Sequence, residues 1–173
     1  RNNGYDVEFT RTSDVYDTPF EKATKANNTG ADLFVSFHRN SAPTANQYSG
    51  VQSLVYDDSG LKSQLARNIN ANLTKIGFED KGVVERPNLV VLKRTKMPAV
   101  LIEAGFINSD SDNKLFDEKF YEIANAIACA IMETIENYDT KDADGNTYTV
   151  QVGAFRNRQL ANNMAYKLRQ QGY

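Results

Sequence analysis

Several residue types and patterns are scarce in this sequence of 173 residues, and each scarcity excludes a class of protein. The single cysteine, Cys129, excludes an internal disulfide framework. No run of about 18 apolar residues occurs, so we expect no membrane-spanning helix. The net charge of −2 lacks the basic excess of a general nucleic-acid binder, so we expect no nucleic-acid partner.

Motifs for several enzyme classes are also missing. The sequence contains neither G-x-G-x-x-G nor G-x-x-x-x-G-K-[ST], the motifs that bind nucleotide phosphates. No G-x-S-x-G turn is present, which disfavours a Ser-His-Asp triad built on Ser36 or Ser41. The only histidine is His38, and one imidazole cannot hold a catalytic zinc ion by itself, because such sites usually take three protein ligands.

Strands and helices alternate over the first 138 residues. Short alternating or continuous apolar runs indicate the strands, and apolar residues every three or four positions indicate the long helices. Strands are predicted at 5–10, 32–38, 51–56, 89–92 and 99–102, and helices at about 19–30, 60–76 and 114–137. This alternation predicts an α/β fold with a mostly parallel, twisted sheet flanked by helices.

The ends of two helices carry specific signals. Thr18 can cap the first helix, Pro19 suits its first position, and Glu21 can complete a capping box. Gly30 and Gly77 are predicted to end the first and second helices.

The last 35 residues read as a linker and the start of another domain. Residues 139–147, DTKDADGNT, are polar and charged, which is typical of a linker. Residues 148–173 then predict one strand and one helix. Such a short segment cannot bury a core, so we expect the beginning of a truncated α+β domain.

Two polar side chains follow buried strands of the predicted sheet. His38 ends the run 32–38, and Glu103 follows the run 99–102. Sites in open α/β sheets form at the carboxyl ends of strands, so parallel neighbours would bring these residues to one edge. His38 is then a metal ligand, a catalytic base or an ordinary strand-end residue. Glu103 is a catalytic carboxylate with a raised pKa or the ion-pair partner of Arg94 or Lys96.

Three ordered segments resemble the catalytic domain of the zinc-dependent N-acetylmuramoyl-L-alanine amidases of the amidase-3 type. They are GYDVEFTRTSD (4–14), KANNTGADLFVSFHRNS (25–41) and VVLKRTKMPAVLIEAGFINSDSD (90–112), and the resemblance covers residues 1 to about 138. It implies a peptidoglycan hydrolase that cuts the amide bond between N-acetylmuramic acid and L-alanine of the stem peptide, using a water activated by Zn²⁺.

The resemblance also implies roles for individual residues. His38 matches a zinc ligand and Glu103 the catalytic carboxylate, and the remaining ligands, a histidine and a glutamate, are expected upstream of this chain. Asn40 is a candidate substrate-binding residue, with a plain loop role as the alternative. Lys22 stands where the family commonly has arginine, and Gln52 where it commonly has glutamate.

The tail YTVQVGAFRNRQLANNMAYKLRQQGY (148–173) resembles the first strand and helix of a SPOR domain, which binds glycan strands of peptidoglycan stripped of their peptides. Together the resemblances imply peptidoglycan as the partner and a location outside a bacterial cell or in its wall. A non-catalytic peptidoglycan-binding module is the alternative function. The presence of both His38 and Glu103 favours the enzyme.

Overall fold

The computed structural model of the protein describes residues 5–138. The chain divides into two compact units, and the unit formed by Glu8–Glu136 contains nearly all of the described residues. The other unit, Arg1–Val7 with Asn137–Tyr173, lies mostly outside them. The predicted linker at 139–147 and the SPOR-like strand and helix at 148–173 therefore fall outside the described residues.

The described residues form an alternating series of helices and strands. In chain order they are α1 Pro19–Thr29, β1 Phe34–Asn40, β2 Val51–Val55, α2 Gly60–Ile76, β3 Asp80–Glu85, α3 Val90–Arg94, β4 Ala99–Phe106, α4 Asp110–Glu118 and α5 Phe120–Tyr138. Within residues 5–138, none of these helices combines the length and apolar character needed to cross a bilayer.

The four strands form one mixed sheet in the order β1-β4-β2-β3. β1 pairs with β4 and β2 pairs with β3 in parallel, whereas β2 and β4 are antiparallel. Two of the three pairings are thus parallel, and the predicted α/β class with a mostly parallel sheet flanked by helices is confirmed.

Each face of the sheet carries its own apolar core, because successive residues of a strand point to opposite faces. On one face, Val100 and Ile102 of β4 pack with the buried stripes of α2 and α5. On the other face, Ala99 and Leu101 pack with Val91 and Leu92 of α3. β4 is therefore apolar on both sides, and this explains its continuous run of buried residues.

The helix-end signals act as predicted. The Thr18 hydroxyl accepts a hydrogen bond from the Glu21 N–H, and the Glu21 carboxylate accepts one from the Thr18 N–H, which forms the capping box. Gly30 ends α1 in the left-handed conformation, at φ +68°. The Gly77 N–H bonds to the last carbonyl groups of α2.

Several predicted elements are wrong. Residues 5–10 form no strand, since no strand of the described sheet lies beside them to complete a backbone ladder. The run 89–92 begins the helix α3, because four apolar residues carry no period that separates strand from helix. The predicted helix 114–137 is two helices with a break at Lys119.

The position and number of strands also differ from the prediction. β1 is predicted to be buried inside the sheet, but it is an edge strand among the described residues, and Phe37 is 63% exposed. β3 is missed altogether, because it starts with the polar residues Asp80 and Lys81 and with Gly82, which has a positive φ. Apolar periodicity does not detect such a strand.

Candidate functional site

His38 and Glu103 lie side by side near the carboxyl ends of two neighbouring parallel strands. His38 of β1 is the register partner of Glu103 of β4. Register partners on adjacent strands project their side chains from the same face of a sheet. The structure therefore brings the two site residues predicted from the sequence together.

The imidazole of His38 is held toward its neutral form. Partial burial lowers its pKa, and the positive charges of Lys22 and Arg11 lower it further. The neutral imidazole is the form that binds a metal ion. Among the described residues His38 makes no hydrogen bond with a serine or an aspartate, so the Ser-His-Asp alternative gains no support.

The carboxylate of Glu103 has no partner within the described residues. Its Oε2 atom is buried without a hydrogen bond, and burial raises the pKa of the carboxyl group. The alternative ion pair with Arg94 or Lys96 does not form, and backbone groups of those residues bond to Asn27 at 2.8 Å instead. An unpaired carboxyl group with a raised pKa is suited to taking a proton from water.

Gln52 extends this row of polar side chains onto a third strand. It is the register partner of Glu103 on β2 and so projects from the same face of the sheet. From the sequence alone, Gln52 is recognised only as a departure from the family pattern. The local pattern of β2 does not reveal that this strand pairs with β4, which is the fact that places Gln52 beside Glu103.

Asn40 shapes the loop that follows β1. Its Oδ1 accepts a hydrogen bond from the Ser41 N–H at 2.8 Å, and its carbonyl oxygen accepts one from the Ile107 N–H at 2.7 Å. Two further bonds between Ala42 and Asn108, at 2.7 and 3.0 Å, join the same two loops. These contacts give Asn40 a structural role at the end of β1, and the binding of substrate by Asn40 stays a prediction.

The buried carboxylate of Asp112 holds the end of β4 next to the start of β2, the strands that carry Glu103 and Gln52. Asp112 is 2% exposed, and its Oδ2 accepts hydrogen bonds from the N–H groups of Phe106, at 2.7 Å, and Gly50, at 2.9 Å. It thereby ties the end of β4 to the residue before β2. Gly50 has φ +108°, and a Cβ there would lie 2.2 Å from the Glu79 carbonyl oxygen, so only glycine fits.

The described residues alone do not form a metal site. Within residues 5–138, no group of three or more His, Cys, Asp or Glu side chains is placed to hold a metal ion. A neutral His38 fits one ligand position of a zinc site, and Glu103 fits the position of a carboxylate beside the metal. Because a catalytic zinc usually takes three protein ligands, the others would lie outside these residues.

Comparisons with known proteins agree with the motifs. A family profile described as N-acetylmuramoyl-L-alanine amidase matches residues 1–133, and a SPOR domain profile matches residues 144–173. The sporulation-specific N-acetylmuramoyl-L-alanine amidase of Bacillus subtilis (strain 168) is 32% identical over 174 residues, covering 98% of this chain and 66% of that protein. The N-acetylmuramoyl-L-alanine amidase CwlM of Bacillus licheniformis is 30% identical over 171 residues, covering 96% and 64%.

The fold is similar to that of solved amidase structures. The crystal structure of an N-acetylmuramoyl-L-alanine amidase from Clostridium difficile 630 superposes with a TM-score of 0.66 at 30% identity. The superposition covers 73% of this chain and 69% of that chain. In sequence, the chain spans slightly less than two thirds of the length of the two Bacillus relatives.

Proposed function

This chain belongs to the N-acetylmuramoyl-L-alanine amidase family, and from that membership we propose that it hydrolyses the amide bond between N-acetylmuramic acid and L-alanine in peptidoglycan. The observation that supports the proposal most directly is the pair formed by His38 and Glu103. The two side chains share one face of the sheet in register, and the carboxylate has no protein partner among the described residues.

Glu103 is the proton-transfer group of the proposed reaction. It takes a proton from the attacking water while the water oxygen bonds to the carbonyl carbon of the scissile amide. The C–N bond then breaks, and Glu103 passes the proton to the nitrogen of the leaving L-alanine. The products are a carboxylate on the muramic acid and a free amino group. The raised pKa of Glu103 makes its carboxylate a stronger base for the first half of this transfer.

His38 would hold a zinc ion beside Glu103, together with ligands from outside residues 5–138. When bound, zinc polarises the scissile carbonyl and makes the water more acidic. The lowered pKa of His38 supports this role, since it keeps the imidazole neutral and able to act as a ligand.

Peptidoglycan is also the proposed partner of the C-terminal segment. The SPOR profile matches residues 144–173, and the two Bacillus relatives described above are named N-acetylmuramoyl-L-alanine amidases. We infer a location outside the cell or in the cell wall, because that is where the substrate lies.

Digestion of purified peptidoglycan by the full-length gene product tests the proposal. New amino groups on alanine should appear without new reducing sugar ends, and a chelator should suppress them. Glu103→Gln should lower the rate at least about 100-fold, the lower range for a removed proton-transfer group. Glu118→Gln, at an exposed position of α4, is the matched control and should leave the rate unchanged.

Two results would contradict the proposal. Reducing ends without amino groups would indicate cleavage of the glycan instead of the amide. Tight binding to peptidoglycan with no amino groups released, in the presence of zinc, would leave only the non-catalytic binding module.

A further inference from the structure

The backbone ladder between β1 and β4 is interrupted directly after the site pair. His38 is the register partner of Glu103, but the next pair in the ladder is Asn40 with Phe106. One residue of β1 therefore faces two residues of β4, and this arrangement is a β-bulge. The second residue of the bulge, Gly105, has φ +80°. Bulges are frequent next to active sites, where they re-aim a side chain.

The direction of the Glu103 carboxylate depends on this bulge. The Oε2 atom of Glu103 receives no hydrogen bond among the described residues, so no bond to that atom holds the side chain in place. The bulge begins at the residue that follows Glu103, and its dihedral angles set the course of the strand there. Groups that hold the bulge therefore also help to aim the carboxylate.

Arg39 holds the bulge from the reverse face of the sheet. It follows His38, so its side chain projects from the face opposite to the site. The guanidinium Nη2 donates hydrogen bonds to the Phe106 carbonyl oxygen at 3.1 Å and to Asn113 Oδ1 at 2.7 Å. Its Cζ atom lies 4.5 Å from the centre of the Phe116 ring, which is a cation–π contact. The end of the bulge is thereby tied to α4.

The backbone groups of Phe106 have further partners besides Arg39. The N–H donates to Asp112, and the carbonyl oxygen also accepts the Ser109 N–H at 3.1 Å. Removal of Arg39 would therefore leave neither group without a partner. We expect its removal to shift the bulge and not to unfold the domain.

Folding alone does not explain the charge of Arg39. Its Nε atom is buried without a hydrogen-bond partner, and the side chain forms no ion pair within residues 5–138. Burying part of a cation in this way costs stability. Local features that weaken a fold are expected at functional sites, and Arg39 lies between His38 and the end of the bulge.

We propose that Arg39 is a positioning residue for Glu103: its guanidinium fixes the bulge that follows Glu103, and the bulge aims the carboxylate at the attacking water. The inference rests on the proposed amidase function and adds to it a residue that acts from the reverse face of the sheet. In this role Arg39 acts through the backbone and takes no part in the proton transfer itself.

Kinetics of the full-length gene product on a soluble N-acetylmuramoyl-L-alanyl peptide test the proposal. Arg39→Met keeps an apolar stem against Phe116 but removes the bond to the bulge. It should lower kcat about 10- to 100-fold and leave KM unchanged, because only the geometry of the reacting groups is altered. Arg39→Lys should restore most of the rate, since an ammonium group can donate to the same two acceptors.

Arg86→Met is the matched control. Arg86 is an exposed arginine directly after β3 that also donates to a backbone carbonyl oxygen, that of Glu85, at 3.2 Å. It lies at the end of the sheet opposite to the site, because β2 is parallel to β3 and antiparallel to β4. This variant should leave kcat unchanged.

A double variant separates positioning from a general loss of structure. If Arg39 acts through Glu103, adding Arg39→Met to Glu103→Gln should lower the remaining rate less than about twofold. General damage to the domain would lower the rate by the same factor in both backgrounds.

Hydrogen exchange of the chelator-treated protein gives a measurement that is independent of turnover. The Phe106 N–H should exchange about five- to tenfold faster in Arg39→Met, as expected for the loss of one hydrogen bond at the bulge. The N–H of Val100, near the other end of β4, should exchange at an unchanged rate. Asn113→Ala removes the other acceptor of the guanidinium and should act in the same direction, so it replaces Arg39→Met if that protein does not accumulate.

Three results would overturn the positioning role while the unchanged protein still cleaves the amide. They are an unchanged kcat in Arg39→Met, an equal fall of the rate in the presence of Glu103→Gln, and a lowered kcat with unchanged exchange at Phe106. No cleavage by the unchanged protein supplied with zinc would overturn the amidase proposal, and the positioning role with it.

Discussion

Replacing Glu103 by glutamine is predicted to stabilise the chelator-treated protein while removing the proposed proton-transfer group. The Oε2 atom of Glu103 is buried without a hydrogen bond in the described residues, so the folded state holds a charge that water solvates better in the unfolded state. An unsatisfied buried polar group costs about 1–3 kcal/mol. Because Glu103 is only half-buried, we expect Glu103→Gln to raise the free energy of unfolding by about 1 kcal/mol, the lower end of this range.

The gain in stability of Glu103→Gln over the unchanged protein should increase as pH rises. Burial raises the pKa of Glu103 in the folded state above its ordinary value of 4.5. Between these two pKa values the folded protein binds more protons than the unfolded one, so its stability falls as pH rises. Glutamine at position 103 does not ionise, so the stability of Glu103→Gln does not fall for this reason as pH rises. The stability difference between the two proteins should be near zero at about pH 4 and fully developed above the folded-state pKa.

Urea unfolding of both proteins from pH 4 to pH 8, with chelator present throughout, measures this difference. A gain of about 1 kcal/mol corresponds to a rise in Tm of about 2–4 °C for a chain of this size. Glu118→Gln is the exposed control and should change stability by less than about 0.5 kcal/mol. A Glu103→Gln protein that is less stable at pH 7, or a difference independent of pH, would refute the reasoning.

Two further predictions concern the frame of the site, and a third concerns the ion pair between Asp58 and Arg67 of α2. Asp112→Ala should lower the free energy of unfolding by about 2–4 kcal/mol in urea titrations, because it leaves two backbone N–H groups without their acceptor; a loss under about 0.5 kcal/mol would contradict the role of this carboxylate. Gly50→Ala should prevent accumulation of folded protein, whereas Gly30→Ala, with open space around its Cβ, should cost only about 1 kcal/mol by the same measurement. The pKa of Asp58, lowered to about 2 by its bonds to Arg67 and Ser63, should rise in Arg67→Gln when followed by NMR, and the stability it contributes should be lost only as pH falls toward 2.

Helix ends could be predicted because their signals act over a few residues. Thr18, Glu21 and Gly30 form the bonds and dihedral angles that their types favour, independent of the rest of the fold. The run 89–92 has no such local signal. It becomes helix because Val91 and Leu92 pack against one face of the sheet, and this packing depends on the tertiary structure.

The same distinction applies to the candidate site. His38 and Glu103 are recognisable because each follows an apolar run, and a strand end is where a polar side chain can be tolerated. Gln52 joins them only through the antiparallel pairing of β2 with β4, which the sequence of β2 does not encode.

The spacing of His38 and Glu103 is set by a backbone ladder and not by contacts between the two side chains. Most substitutions in β1 or β4 that keep the ladder will therefore preserve that spacing, even when they alter packing. Deletion or insertion of a single residue before His38 would turn its imidazole to the opposite face of the sheet, away from Glu103. Libraries for laboratory evolution of this domain should therefore keep the length of each strand constant and the buried positions of β4 apolar.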